Sequence, residues 1–320
     1  MWAAHATRSL LLCTYNTHKQ KIQAYVVDDK LILSGSNLSQ EYFVDRQDRY
    51  MLFQNGAGGL VDFYATMIET LSNSTNTDSS STHQELMSTL ARLFQQNTNN
   101  ATTVMDEDDN VEAYVVPTFQ PPKSWKDLPF RSDAQHIDSF LRQTALESNC
   151  SIRLASAYLN PTPSLMSALA HNHGDVTFLT ASPSSHGFSP KPGVKRRGDW
   201  VPQAFQHISY QLNKNRRNNT DRLLWYTRDG WTFHAKGIWI FSPEGHLVAA
   251  TVGSGNYGYR SYQRDMESNC LLVFPKTDSA LQRALMDEWD RFEHYTHKPI
   301  FSEQAPWRIR AALPLMKRML

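Results

Sequence analysis

The chain lacks the marks of an exported or membrane-spanning protein. Its three cysteines, Cys13, Cys150 and Cys270, form no CxxC pair and are odd in number, which argues against a disulfide-stapled scaffold and leaves reduced thiols with no metal site implied. No apolar run approaches the ~18 residues that a bilayer span needs, so any membrane contact is expected to be peripheral. P-loop, Rossmann glycine and Gly-x-Ser-x-Gly patterns are all missing, which removes the commonest nucleotide-binding and serine-hydrolase readings. His171-Asn-His173 has a ligand-like spacing, but only Asp175 stands nearby, and the stretch reads as a surface turn. Acidic residues are missing from the first 27 positions, and basic ones nearly so from residues 71–117, where Arg92 stands alone against seven acids.

Residues 118–320 carry the opposite balance, 25 basic against 17 acidic side chains, within a chain whose formal net charge is only +1. A basic half suits an anionic partner: a phosphate-bearing small molecule, an acidic membrane or a nucleic acid. With 320 residues, 40% of them hydrophobic, the chain can bury a large core, and its length suggests about two domains. Helical spacing over Leu60–Leu71 and beyond His136 alternates with β-rich runs such as Ser151–Tyr158 and Val176–Thr180, which predicts α/β layering. Asp229-Gly230 predicts a hairpin joining Leu223–Tyr226 to Trp231–His234. Residues 72–117, rich in Ser, Thr, Asn and Asp, are expected to be a disordered linker, with Leu86, Leu90, Leu93 and Phe94 able to form one short helix. The loop from Ser182 to Gly198, with Lys191, Lys195, Arg196 and Arg197, either closes over an anionic substrate or has no role. The final stretch from Trp307 either packs on the domain or lies at a membrane surface.

The most informative stretch is Trp231-Thr-Phe-His234-Ala-Lys236-Gly-Ile-Trp239, followed by Gly253-Ser254-Gly255-Asn256. On a strand, side chains two apart share a face, so His234 and Lys236 are expected to project together, and Ser254 and Asn256 likewise at the end of the returning strand. An imidazole, an ammonium, a hydroxyl and an amide gathered in one place suit phosphate, because lysine supplies charge, Asn and Ser supply directed donors, and histidine attacks or moves a proton near neutral pH.

The same outline occurs earlier. Two β-rich runs flank Asp28-Asp29-Lys30 and end in Ser34-Gly35-Ser36-Asn37, and eleven residues after Asn37 lies Asp48, as Glu267 lies eleven after Asn256. The chain thus contains an internal duplication, its copies 219 residues apart by subtraction of 37 from 256. A duplicated fold can close two half-sites into one.

These residues resemble the phospholipase D superfamily, whose motif is His-x-Lys followed by Gly-Ser/Gly-x-Asn. More narrowly, Ile32–Ser39, Tyr42-Phe43, Arg46-Gln-Asp-Arg-Tyr50, Leu179–Pro183, Trp231–Gly237 and Gly258-Tyr-Arg-Ser261 resemble the eukaryotic CDP-diacylglycerol–glycerol-3-phosphate 3-phosphatidyltransferases. The resemblance implies a phospholipase D-like α/β fold of two related domains, each a mixed sheet flanked by helices, with the first incomplete. It divides the chain into a partial first half over residues 1–71 (degenerate motif 21–37), the polar linker 72–117, and a second half over 118–320 (motif 234–256). It implies phosphatidyl transfer from CDP-diacylglycerol to glycerol 3-phosphate with release of CMP, using neither metal nor cofactor, peripherally on an anionic mitochondrial inner membrane, with no nucleic-acid partner. Carried over by motif, His234, Lys236, Asn256 and Glu267 are the catalytic candidates. Lys236 and Asn256 hold phosphate oxygens, Glu267 orients a histidine, and Ser254, Ser36 and Asn37 bind substrate phosphate.

The first repeat departs from the pattern. Counting back from Asn37 by the family's spacing, the positions of histidine and lysine fall on Lys21 and Gln23, with Asp28 in the aspartate position and Asp48 matching Glu267. The expectation is a truncated or altered first half with little or no transferase activity, since groups acting as a unit are not replaced by the remainder. Two other classes stay open: a phosphodiesterase or nuclease using the basic half, and a non-catalytic chain that binds anionic lipid.

Overall fold

The structure is a computed structural model and describes residues 11–12, 22–54, 59–74, 80–103, 111–125, 128, 130–147, 149–189, 200–215, 221–301 and 305–320. Lys21, Cys13 and most of the basic loop before Trp200 lie outside them.

Strands β1 (Leu11–Leu12), β2 (Gln23–Val27) and β3 (Lys30–Ser34) lead into the short helix α1 (Glu41–Val44), then β4 (Arg46–Gln47), β5 (Tyr50–Phe53) and helix α2 (Leu60–Ser74). A four-stranded sheet of order β1-β2-β3-β5 results, antiparallel at every pairing. Its inner face, with Ala24, Val26, Leu31 and Leu33 buried, packs on α2, whose Val61, Tyr64, Ile68 and Leu71 recur at helical spacing. Helix α3 (Ser80–Thr103) follows, correcting the expectation of disorder. Polar as this tract is, Leu86, Met87, Leu90 and Ala91 fall on one stripe and are buried, and that burial offsets the ordering cost.

Strand β6 (Tyr114–Gln120) already belongs to the larger sheet, so that sheet begins inside the tract assigned to the linker. Then come α4 (Asp133–Glu147), β7 (Ser151–Ser156), α5 (Pro163–His171), β8 (Val176–Ala181), α6 (Trp200–Lys214) and β9 (Arg222–Tyr226). After β10 (Thr232–Phe233) follow β11 (Lys236–Phe241), β12 (Leu247–Gly253), α7 (Tyr259–Gln263), β13 (Glu267–Val273), α8 (Ala280–Glu293), β14 (Thr296–His297) and α9 (Trp307–Met316). The eight-stranded order β14-β9-β8-β7-β11-β12-β13-β6 is mixed: β7, β8 and β9 run parallel, and the remaining pairings are antiparallel. Strand β11 is buried throughout because both faces are covered. Ile238 and Ile240 meet α4 and α5, while Trp239 and Phe241 join a core shared with α8 and the first sheet.

The duplication is visible as element order, strand, strand, short helix, strand, long helix, in β2-β3-α1-β5-α2 and again in β11-β12-α7-β13-α8, with β4 inserted in the first copy. The expected hairpin at Asp229-Gly230 forms differently. Gly230 takes φ 74° and Trp231 bridges Arg228, but β10 then pairs in parallel with β4 instead of returning along β9. That crossing couples the two repeats, and it brings residues 46–48 beside 232–234.

Candidate active site

His234 sits in two residues of irregular backbone between β10 and β11, not within a strand as expected. Its backbone N–H donates to the carbonyl of Gln47 at 2.7 Å, tying this segment to the first repeat. Its Nδ1 lies 2.7 Å from Oδ2 of Asp48. Two groups compete for Nδ1: Asp48, which only accepts, and the Lys236 ammonium 2.7 Å away, which only donates. The tautomer that answers the buried carboxylate carries the proton on Nδ1 and keeps a lone pair on Nε2, with the ammonium donating to the His234 carbonyl. Nε2 faces the hydroxyl of Tyr42 at 3.4 Å, and the Tyr158 ring stands edge-on to the imidazole with centroids 5.5 Å apart.

Lys236, the first residue of β11, is 3% exposed. Its Nζ donates to the His234 carbonyl at 2.6 Å, approaches the Gly35 carbonyl at 3.5 Å, and sits 2.7 Å from Nδ1 and 3.8 Å from Asp48. Burial, with this ammonium beside the ring, lowers the His234 pKa to about 4, although Asp48 pulls the other way. Burial alone would raise the Asp48 carboxyl, but Lys236 and His234 together hold it below the ordinary carboxylate range. The state at neutral pH is therefore an ionised Asp48, a neutral imidazole with Nε2 free of a proton, and an ammonium that balances the carboxylate. Gly35 is required by this packing, since a Cβ there would lie 2.4 Å from Lys236 Nζ.

Arg49 locks the junction. It is 3% exposed, donates from Nη1 to the carbonyls of Lys236 (2.9 Å) and Thr251 (2.7 Å), pairs with Glu288 of α8 at 2.9 Å, and lies over the Trp239 ring. Asp48 in turn accepts the Arg49 N–H through Oδ1. The sequence Asp48-Arg49 thus delivers a carboxylate to His234 and a guanidinium to the backbone of the second repeat.

Other expected site residues are placed as follows. Asn256 is buried, bound by its N–H to Ser261 Oγ and by its carbonyl to Ser156 Oγ, and its Oδ1 has no hydrogen-bond partner among the described residues. Glu267 is fully buried and accepts from Ser261 Oγ at 3.2 Å. The carboxylate bonded to His234 is instead Asp48, contributed by the other repeat. The hydroxyls of Ser254 and Ser36 bond within their own turns, Ser254 with the backbone of Ser268 and Ser36 with Ser34 Oγ. Asn37 is exposed and accepts from Gln23 Nε2 at 3.0 Å. Asp28 lies at the exposed β2–β3 turn with φ 53°, at the opposite end of that hairpin from Gly35, so it is not part of the site. Tyr42, Tyr158, Arg46 and Arg49 are missing from the motif-based set. The signal for three of them was the Tyr42–Tyr50 stretch itself, while nothing local marks Tyr158. Arg46 stacks 4.6 Å from the Tyr42 centroid and donates to Thr232 Oγ1. Among the described residues no helix is long and apolar enough to cross a membrane.

No family model matches the chain. The CDP-diacylglycerol–glycerol-3-phosphate 3-phosphatidyltransferase of Schizosaccharomyces pombe is 29% identical, over 94% of this chain and 71% of its own length. The mitochondrial enzymes of that name from Gallus gallus and Homo sapiens are 28% and 27% identical over 85% of this chain. The chain is a homologue of these phosphatidyltransferases. It spans about half the length of the chicken and human relatives, 55% and 54%. A crystal structure of phosphatidylserine synthase from Haemophilus influenzae superposes with a TM-score of 0.63 at 15% identity, covering 94% of this chain and 71% of that one. The shared fold is α/β, mixed sheet flanked by helices.

Proposed function

We propose that the chain transfers a phosphatidyl group from CDP-diacylglycerol to glycerol 3-phosphate, as a peripheral protein of the mitochondrial inner membrane, with His234 as the nucleophile. The observation that carries this reading is the bond from Asp48 of one repeat to His234 of the other. It leaves a neutral imidazole with its Nε2 lone pair directed away from its anchor, beside a buried ammonium. In the first step Nε2 attacks phosphorus, and the P–O bond to CMP breaks with its electron pair leaving on the CMP phosphate. That leaving group is weakly basic and needs little help from an acid. In the second step the hydroxyl of glycerol 3-phosphate attacks, the N–P bond breaks, and the hydroxyl proton must pass to a base.

The second step is the slow one. Positions 21 and 23 hold Lys and Gln where the family's spacing has histidine and lysine, and Gln23 is engaged with Asn37. Among its described residues the first repeat supplies carboxylate and positioning and no second imidazole, and low turnover follows. The test is incubation with CDP-dioctanoylglycerol, an alkaline quench and mass spectrometry. The expected result is one CMP released per chain and a phosphatidyl adduct on His234, drained slowly by glycerol 3-phosphate and absent in His234→Ala. Rapid hydrolysis of DNA with no adduct from the lipid would refute the reading in favour of a nuclease.

A further inference from the structure

A cavity of about 310 Å³ is lined by Tyr158, whose ring also meets that of His234; its volume is at the lower end of the ~300–1,000 Å³ usual for small-molecule sites. Its two walls differ in chemistry. One is polar and internally bonded: Asn256 binds Ser261, and Arg260 binds Asp265. The other is apolar, built from Val201 and Phe205 of α6 with Leu320, which belong to one cluster shared with Leu313 of α9. Tyr158 lines the cavity and also meets the His234 ring, so the space begins one aromatic ring from the reactive nitrogen. At its other margin Phe188, Trp200 and Met319 are 44%, 41% and 56% exposed, an apolar rim open to the surroundings. Met319 and Leu320 end a segment, residues 307–320, that carries Arg308, Arg310, Lys317 and Arg318 and no acid, with Trp307 and Leu315 exposed.

We infer that this cavity holds an acyl chain of the phosphatidyl substrate, with the phosphate end at Asn256 and His234 and the hydrocarbon between α6 and residues 319–320. The inference rests on the phosphatidyl-transfer reading and adds the place of the lipid tail. Three features favour hydrocarbon over a nucleobase. The wall of Val201, Phe205 and Leu320 presents only apolar side chains, the charged and amide side chains lie on the opposite wall, and the rim exposes Phe188, Trp200 and Met319, the last belonging to the acid-free basic segment 307–320.

The test measures binding of dibutanoyl, dihexanoyl and dioctanoyl phosphatidic acid, each below its micellar concentration, to the wild-type chain and to Val201→Trp, which fills the cavity. Wild-type affinity should rise tenfold or more from dibutanoyl to dioctanoyl, since burial of as few as two methylene groups supplies about tenfold. In Val201→Trp the rise should flatten. On the wild-type chain, a phosphatidic acid carrying a diazirine on its acyl chain should label residues 200–205 or 319–320, a readout that does not depend on how the variant folds. Affinity independent of chain length, with all three lipids still bound, would overturn the inference while leaving the phosphatidyl reading intact. An equal rise in Val201→Trp, or labelling suppressed by CMP but not by dioctanoyl phosphatidic acid, would also overturn it. Failure of the wild-type chain to bind any of the three would remove both.

Discussion

Replacing Asp48 by Asn tests the link between the two repeats most directly. The side chain keeps its shape in a site where it is 1% exposed, so packing is little changed and the effect is chemical. Oδ1 must remain an acceptor for the Arg49 N–H at 2.9 Å, which turns the amide NH2 toward His234. A donor there demands a lone pair on Nδ1, moves the imidazole proton to Nε2, and removes the attacking electron pair. In the serine-protease triad the equivalent change of tautomer costs roughly 10^4 in rate, and a loss of ~10^3–10^4 in the CMP burst is expected here. Stability falls as well. Lys236 loses the carboxylate 3.8 Å away, and breaking a buried pair costs about 3–5 kcal/mol, reduced by the carbonyl bonds the ammonium keeps. The assay is rapid-quench release of CMP from CDP-dioctanoylglycerol, with urea unfolding in parallel. A variant that bursts within threefold of the wild-type rate would refute the argument, because His234 would then not depend on Asp48 for its tautomer.

Further outcomes follow from the same geometry. The burst should stay level from neutral pH down to about 4 and drop tenfold per unit below that, as the His234 ring takes up its proton; an acid limb near 6.5 in the burst rate would contradict the lowered value. His234 and His186, lowered to about 4 and about 3 by burial first of all, bind protons more weakly in the folded than in the unfolded chain. Their contribution to stability is therefore complete above about 6.5 and lost as pH falls toward 4, whereas buried Asp133, raised to about 6, works in the opposite sense between about 6 and 4. Melting curves of His186→Phe should accordingly show a shallower acid decline than wild type. Arg49→Leu, which strands Glu288 and frees two buried carbonyls, should destabilise by about 3–5 kcal/mol in urea titration. Gly237→Ala should do so by ~1–3 kcal/mol, since its Cβ would lie 1.9 Å from Arg49 Nη1.

Several elements were legible because their signals are local. The helices at Leu60–Ser74 and Asp133–Glu147 and the strands at Ser151–Ser156 and Val176–Ala181 follow the apolar spacing within a residue or a few of the expected ends. The paired hairpins follow from the repeat. The readings that failed depended on partners far along the chain. A Gly-containing turn says only that the backbone reverses, and the pairing of β10 with β4 was decided by a strand some 186 residues away. The helix at Ser80–Thr103 is too polar to read as folded, yet a narrow stripe suffices when a hydrophobic neighbour, α2, is already in place.

By itself, the sequence determined the chemical inventory: a histidine and a lysine two residues apart, a repeat ending in an asparagine with a carboxylate eleven residues beyond, and the absence of that histidine and lysine from the first copy. Only the tertiary structure decided which carboxylate serves which ring. Asp48 rather than Glu267 meets His234, because β4 and β10 pair across the repeats. The lowered His234 pKa has the same origin, since it comes from burial of the ring with the Lys236 ammonium beside it, against the opposing pull of Asp48. Burial and proximity are properties of the folded chain, and no spacing within one segment encodes them.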